Sequence, residues 1–168
     1  MGKMNWLVIN YNLPTEPSRY RVAAWRALKK LGALNIQQSM WVLPYSIDNY
    51  SALQRIDQDI EANDGEALIM KSTFFEDKYE ERIIALFNNM RNEEYMEYIN
   101  ECDKYLKELK KEISIKKFTF AELEEEEEEL HKLISWYKKI KDRDIFNSSE
   151  GKLAEERTQQ IEKNLKYK

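Results

Sequence analysis

Five basic side chains close together near the N-terminus are the residues best suited to do chemistry in this sequence. They are Arg19, Arg21, Arg26, Lys29 and Lys30. A guanidinium group donates hydrogen bonds in a fixed fork that matches phosphate and other tetrahedral oxyanions. On a helix, Arg19 and Arg26 share a face, and Lys30 lies four residues beyond Arg26 on the same side. The cluster therefore predicts nucleic-acid or oxyanion binding. The alternative is an amphipathic helix whose charged face is only solvated.

The residue types that usually carry catalysis or hold metals are scarce. Cys102 is the only cysteine and His131 the only histidine. They fall on different predicted helices with no third group to orient them, so a nucleophilic pair is not expected. We expect Cys102 to be a small buried thiol and His131 a surface residue. The sequence has no metal-ligand spacing of cysteines and histidines and no glycine-rich phosphate loop. We therefore expect no catalytic site, no metal and no cofactor.

Charge is distributed unevenly along the chain. The segment ending at Ser46 holds six basic residues and one acidic residue, a net charge of +5, whereas the whole chain carries −4. The remainder therefore carries −9 and includes the unbroken acidic run 124–129. Such a run is typical of a solvated helix face; the alternative is a surface that repels nucleic acid or attracts a basic partner. No apolar run near the start is long enough to cross a membrane. A single cysteine fits a reducing compartment, so we expect a cytoplasmic protein without a membrane partner.

The elements that must position the basic cluster fill roughly the first 75 residues. Short apolar runs predict strands at 6–9, 33–37, 40–43 and 67–73. The first predicted helix is capped by Ser18 and stopped by Gly32, and the second runs from about Asp48 to Ala62. The order βαββαβ predicts a ferredoxin-like domain over residues 1–75, in an α+β fold class. Trp25 and Trp41 are expected in its core.

Residues 76–168 are predicted to form a helical arm of two long helices and a short terminal helix. The first helix carries a heptad seam of apolar residues: Tyr95, Ile99, Cys102, Leu106, Leu109 and Ile113. A break is expected around 114–118, after which Thr119 and Glu122 match a capping box. The second helix has its own apolar face: Leu123, Leu130, Leu133, Tyr137 and Ile140. The short connection predicts an antiparallel pair, and 152–168 is expected to be a third, weakly apolar helix.

Several strings in this sequence resemble the N-terminal domain of the ChrB chromate-resistance regulators. In the first domain they are WLVI (6–9), LP (13–14), Arg21, WRALKKLGA (25–33) and SMWVLP (39–44). In the arm they are FTFAELEE (118–125), WYKKI (136–140) and RDIF (143–146). The resemblance implies a ferredoxin-like core followed by helices, in a bacterial protein that controls chromate-efflux genes by acting on promoter DNA.

Two alternatives to this function stay open. One is a non-catalytic protein-interaction module that self-associates through the helical arm. The other follows from a more distant similarity to phenylacetate-degradation repressors and small CRISPR-associated nucleases. Those nucleases place an aspartate at the end of the first strand, where this chain has Asn10, Tyr11 and Asn12, so we expect no metal-dependent cleavage. The longer chromate regulators carry a second, C-terminal domain to which the resemblance does not extend, and a separate chromate-sensing chain is a further expected partner.

Overall fold

A computed structural model describes residues 4–115 and 119–166 of the chain. The chain divides into two compact units, Met1–Leu86 and Phe87–Lys168. The elements of the first unit are β1 (Trp6–Asn12), α1 (Arg19–Leu31), β2 (Leu34–Gln37), β3 (Met40–Pro44), α2 (Ile47–Ala62) and β4 (Glu66–Ser72). Helix α3 (Asp77–Ser114) spans the boundary between the units, and α4 (Phe120–Arg143) and α5 (Gly151–Lys166) follow it.

The first unit is built on a four-stranded antiparallel sheet in the order β2-β3-β1-β4. Strand β1 pairs with β3 on one side and with β4 on the other, so that Ile9 faces both Trp41 and Ile69. Alternate side chains of these strands pack with the inner faces of α1 and α2. The buried residues of this core are Leu7, Ile9, Ala24, Leu28, Ala33, Trp41, Leu43, Leu53, Ile56 and Ile60. The predicted mixed class of strands and helices is confirmed.

Helix α1 ends as the sequence predicts but does not begin as it predicts. Ser18 occupies the N-cap position, yet its side chain makes no capping hydrogen bond, because its backbone is already helical (φ −66°, ψ −20°). A hydroxyl reaches the free amides of the first turn only from an extended backbone. At the other end Gly32 adopts a left-handed conformation (φ 82°), which an L-residue with a Cβ rarely accepts. Helix α2 has the extended cap that α1 lacks, since Ser46 Oγ accepts from the Asn49 amide at 3.0 Å.

Helices α3, α4 and α5 share one apolar core in the second unit. The buried residues are Tyr95, Tyr98, Ile99, Cys102, Tyr105, Leu109, Leu133, Tyr137, Ile140, Ala154 and Ile161. Helices α3 and α4 are antiparallel. Glu94 contacts Arg143 at the end of α4, whereas Tyr105, about three turns further along α3, contacts the backbone of Glu126 near the start of α4. The predicted antiparallel pair is therefore found. Helix α5 also contributes Ala154 and Ile161, both fully buried.

The predicted seam of α3 needs two corrections. Ile113 is 48% exposed rather than buried, because it lies in the last turn of the helix, beyond the buried core residues. Tyr98 and Tyr105 are missing from the predicted seam although they are 0% and 3% exposed. Leu106 is partly buried against the same core.

The predicted capping box at the start of α4 is confirmed. Thr119 Oγ1 accepts from the Glu122 amide at 3.2 Å, and the Glu122 carboxylate accepts from the Thr119 amide at 3.1 Å. Helix α3 ends at Ser114, and the rest of the predicted break, residues 116–118, lies outside the described residues. Across the described part of the chain, no helix combines the length and apolar character needed to cross a membrane.

Candidate nucleic-acid or oxyanion cleft

An open cleft of about 660 Å³ lies in the first unit, along one side of α1. Three segments form its walls: helix α1, the end of β1 with the residues that follow it, and the turn between β2 and β3. The lining residues are Tyr11, Asn12, Leu13, Ser18, Arg21, Val22, Trp25, Arg26, Gln38 and Ser39. The helical positions 18, 21, 22, 25 and 26 form one face of α1, as the helical repeat requires.

Two of the five candidate cations line this cleft. Arg21 and Arg26 are both exposed side chains in its wall. Arg19 instead donates from Nη2 to the Tyr20 hydroxyl at 2.9 Å, and its guanidinium lies 4.9 Å from the Tyr20 ring centroid. Lys29 and Lys30 are exposed outside the lining. Arg21 and Arg26 thus come together at the cleft, while the predicted grouping of Arg19, Arg26 and Lys30 does not describe its wall.

Trp25 belongs to this cleft and not to the core. The core prediction is confirmed for Trp41, which is 1% exposed, and wrong for Trp25, which is 49% exposed. The buried residues of α1 are Ala24 and Leu28, so Trp25 is rotated by one residue from the face that packs on the sheet. The Lys29 ammonium lies 5.0 Å from the Trp25 ring centroid. The spacing of Ala24 and Leu28, with basic residues at positions 26 and 29, was the signal in the sequence that could have found it.

The opposite wall of the cleft is polar. Burial raises the pKa of the Tyr11 phenol, while the Trp41 side chain and the positive charge of Arg21 act in the opposite direction. The hydroxyl is protonated at neutral pH, as an ordinary phenol is, and can donate a hydrogen bond. The Tyr11 amide donates to the Ser39 carbonyl at 3.2 Å, which holds the β2–β3 turn beside β1. Asn35 Nδ2 donates to the Gln38 carbonyl at 2.7 Å, and Gln38 itself has a positive φ of 31°.

This arrangement is suited to binding an anion. The lining offers two guanidinium groups, an indole ring and several neutral hydrogen-bonding groups, and it contains neither aspartate nor glutamate. A carboxylate in the wall would repel an anionic ligand. An arginine, in contrast, can bind phosphate and similar groups through two parallel hydrogen bonds from its guanidinium group. In the described ranges, no group of three or more histidine, cysteine, aspartate or glutamate residues is placed to hold a metal ion.

Cys102 and His131 lie in the second unit, on α3 and α4. Cys102 is fully buried, and burial raises the pKa of its thiol to about 11. The reactive form of cysteine is the thiolate, so a thiol with this pKa is a poor nucleophile at neutral pH. His131 is exposed. The predictions of a buried thiol and a surface histidine are both confirmed.

Comparison with known proteins gives one family and one curated relative. A model of the family described as "Protein ChrB, N-terminal" matches residues 21–167. Protein ChrB of Cupriavidus metallidurans is 31% identical to this chain over 96 residues. That alignment covers 57% of this chain and 29% of the relative, so the chain spans less than a third of the relative's length. No solved structure matches the chain.

Proposed function

This chain belongs to the ChrB N-terminal family, and from that premise we propose that it is a regulatory protein acting in transcriptional control through DNA or oxyanion binding. Membership of the family suggests a part in chromate-resistance regulation. The proposed role is binding rather than catalysis. The proposed partners are promoter DNA and a separate chromate-sensing chain. The proposed compartment is the cytoplasm, where a lone cysteine such as Cys102 stays reduced.

One observation carries this proposal: Arg21 and Arg26 converge on a cleft whose lining contains no carboxylate. Most of the affinity of such a site for DNA comes from displacing the cations condensed around the phosphates. Arg19, Lys29 and Lys30 are exposed on the same helix and extend the positive surface. Helix α1 contains no aspartate or glutamate, so all acidic residues of the chain lie outside it.

We propose a ferredoxin-like arrangement for the domain that presents the cleft. The support is the antiparallel order β2-β3-β1-β4, in which β1 lies between β3 and β4. The chain leaves β1 through α1 to reach β2, and leaves β3 through α2 to reach β4. The cleft follows directly from this order, because the end of β1, helix α1 and the β2–β3 turn meet at one edge of the domain.

Removing both cleft arginines should flatten the salt dependence of DNA binding. The logarithm of the binding constant falls with the logarithm of salt concentration by about 0.9 for each phosphate neutralised, so Arg21→Ala/Arg26→Ala should reduce that slope by about 1.8. The measurement is a salt titration of binding to the DNA upstream of the protein's own gene.

The matched control for this titration is Arg55→Ala/Arg82→Ala, which removes the same amount of charge from two other exposed positions of the first unit. Its slope should stay closer to that of the unaltered protein. Equal slopes for the two double variants would mean that Arg21 and Arg26 have no special role. A small oxyanion that binds the same guanidinium groups should compete with the DNA.

A second candidate function is self-association, and exposed side chains on β4 favour it. Leu68 is 66% exposed and Met70 is 46% exposed, although both belong to a strand. Strand β4 lies at the edge of the sheet and pairs only with β1 among the described strands. Unpaired edge strands with apolar side chains are frequent sites of association. The seam of α3, in contrast, is mostly buried in the core of the second unit, so the sheet edge is the better route.

If the sheet edge mediates association, Leu68→Glu/Met70→Glu should shift the protein to monomers. Positions 68 and 70 lie on the same face of β4, and a negative charge at each opposes close approach of a second copy. Sedimentation velocity at several concentrations measures the effect. Ile47→Glu is the control, since it places a charge at a 75% exposed apolar position on helix α2 rather than on β4. Sedimentation of the unaltered protein as a monomer at every concentration would rule out this candidate.

A further inference from the structure

We propose that the cleft on α1 accepts a nucleotide unit, with its base stacked on Trp25 and its phosphate held by Arg21 and Arg26. Two sources offer this chemistry, a free mononucleotide and an unpaired nucleotide of single-stranded nucleic acid. This inference rests on the proposed function, because it assumes that the cleft binds an anion, and it goes further by naming the chemical class of the ligand.

The size of the cleft is the first reason to prefer a nucleotide to a bare oxyanion. One water occupies about 30 Å³ of liquid, so an ion built from four oxygens fills on the order of 100 Å³. The cleft measures about 660 Å³. Sites that hold organic ligands of moderate size usually measure roughly 300–1,000 Å³. A tetrahedral oxyanion would therefore occupy a small part of the cleft and leave Trp25 uncovered.

The exposed indole is the second reason. Trp25 presents a large flat ring with 49% of its surface exposed, although tryptophan is usually well covered in folded proteins. The Lys29 ammonium lies 5.0 Å from the ring centroid and helps to fix the ring's orientation through a cation–π contact. An oriented, exposed ring beside two cations matches the combination that single-stranded nucleic-acid sites use, which is stacking for the base and positive charge for the backbone.

The neutral groups of the lining are the third reason. An oxyanion such as phosphate or chromate offers mainly acceptors, so only donors in the wall can serve it. Asn12 and Gln38 line the cleft, and their side-chain amides each carry donors and an acceptor. The edges of nucleobases also combine donors and acceptors. A wall of guanidinium groups, amides and hydroxyls therefore fits a base with an attached phosphate better than it fits an oxyanion alone.

The test is competition against a fluorescently labelled single-stranded oligonucleotide, measured by anisotropy with the full chain. Unlabelled competitors are dAMP, deoxyribose 5-phosphate, inorganic phosphate and chromate. We expect dAMP to compete at concentrations about tenfold or more below those required for the three competitors that lack a base, since stacking adds to the phosphate contact. Equal competition by dAMP and inorganic phosphate would overturn the inference. A further competitor is the unlabelled oligonucleotide. Competition at far lower nucleotide concentrations than dAMP would identify the single strand as the source, whereas comparable competition per nucleotide would identify the free nucleotide.

Variants of Trp25 separate this inference from the proposed function. Trp25→Ala should weaken oligonucleotide binding by about tenfold or more without changing its salt slope, since no positive charge is removed. Trp25→Phe should restore most of the affinity. Circular dichroism checks that the exposed position tolerates both changes. Unchanged affinity in Trp25→Ala overturns the nucleotide inference alone if Arg21→Ala/Arg26→Ala still weakens binding to duplex DNA. If neither variant weakens either ligand, the proposed function fails as well.

Discussion

Raising the pH above about 10 should unfold the helical unit Phe87–Lys168, because acidic protons are buried in its core. The four most deeply buried belong to Tyr95, Tyr98, Cys102 and Tyr105, which are 0–3% exposed. Burial disfavours the charged form of each group and raises its pKa, to about 11 for Cys102 and beyond the usual range for the three tyrosines. These groups therefore ionise much more readily in the unfolded chain than in the folded one.

Hydrogen bonds and nearby charges add to the effect of burial. The Tyr95 hydroxyl donates to Asp144 Oδ2 at 2.9 Å, and that carboxylate opposes a second negative charge beside it. The carboxylate of Glu126 acts in the same direction on the pKa of Tyr105. The buried hydrogen bond of 2.6 Å between the Tyr98 and Thr158 hydroxyls acts the other way and lowers the pKa of Tyr98, but burial raises it by more. Ionisation of these phenols in the folded state would thus place negative charge where the core cannot solvate it.

The sign of the pH dependence follows from the raised pKa values. Below about pH 7.5 all four groups are protonated in both states and stability does not depend on them, because even the unfolded thiol ionises only at higher pH. Above that, the unfolded chain loses protons that the folded chain keeps, so the free energy of unfolding falls as the pH rises. Each group contributes a slope of about 1.4 kcal/mol per pH unit, and four together reach about 5 kcal/mol per unit. Small domains have only about 5–15 kcal/mol of stability in total.

Urea denaturation at several pH values, followed by circular dichroism, measures this slope. Tyr105→Phe removes one ionising group and sacrifices only a long hydrogen bond of 3.4 Å to the Glu126 carbonyl. It should reduce the slope above pH 10 by about a quarter. Tyr50→Phe is the control, because Tyr50 is 40% exposed and its ring already meets water in the folded protein. A flat stability curve up to pH 11 would show that the four groups are not shielded as described.

The extent of the buried face on α3 could be predicted only in part, for a physical reason. Tyr95, Cys102 and Leu109 recur every seven residues and were found from the sequence. The positions between them are shared by two overlapping patterns, one through Ile99 and the other through Tyr98. A helix with one partner buries a narrow seam, whereas α3 contributes to a core shared with both α4 and α5 and needs a wider stripe. Tyrosine is also ambiguous in sequence, because its hydroxyl is buried only when it finds a partner such as Thr158.

The basic cluster on α1 could be predicted from residue types alone, but the cleft could not. Which cations share a wall depends on where the β2–β3 turn lies, and that position is set by the pairing of β1 with β3. Local periodicity carries no information about Gln38 and Ser39 approaching Arg21. Trp25 was assigned to the core because large apolar residues usually are buried, and only its angle from Ala24 and Leu28 contradicts that rule. A helical-wheel test of each aromatic residue would have identified it.

Neutralising Glu94 should cost the second unit about 3–5 kcal/mol, because one carboxylate serves two arginines. Glu94 Oε1 lies 3.3 Å from Nη2 of Arg91, and Oε2 accepts from Nη2 of Arg143 at 2.7 Å. The Arg91 side chain is only 5% exposed, and burial lowers the pKa of its guanidinium while Glu94 opposes that change. Across residues 4–115 and 119–166, Nε and Nη1 of Arg91 have no hydrogen-bond partner. Loss of the Glu94 charge would therefore leave a buried cation with only the smaller compensation that Asp144 provides.

A double-mutant cycle distinguishes this cause from a general loss of packing. Glu94→Gln keeps the size of the side chain and removes its charge, so the full loss should appear in urea denaturation. Glu93→Gln is the matched control: Glu93 is the exposed neighbour on α3, and its change should stay within about 0.5 kcal/mol. Arg91→Met/Glu94→Gln should recover most of the stability, since replacing a buried pair by apolar groups is often nearly neutral. A double variant as unstable as Glu94→Gln would show that the unpaired guanidinium is not what destabilises the helices, and would attribute the loss to the contact with Arg143.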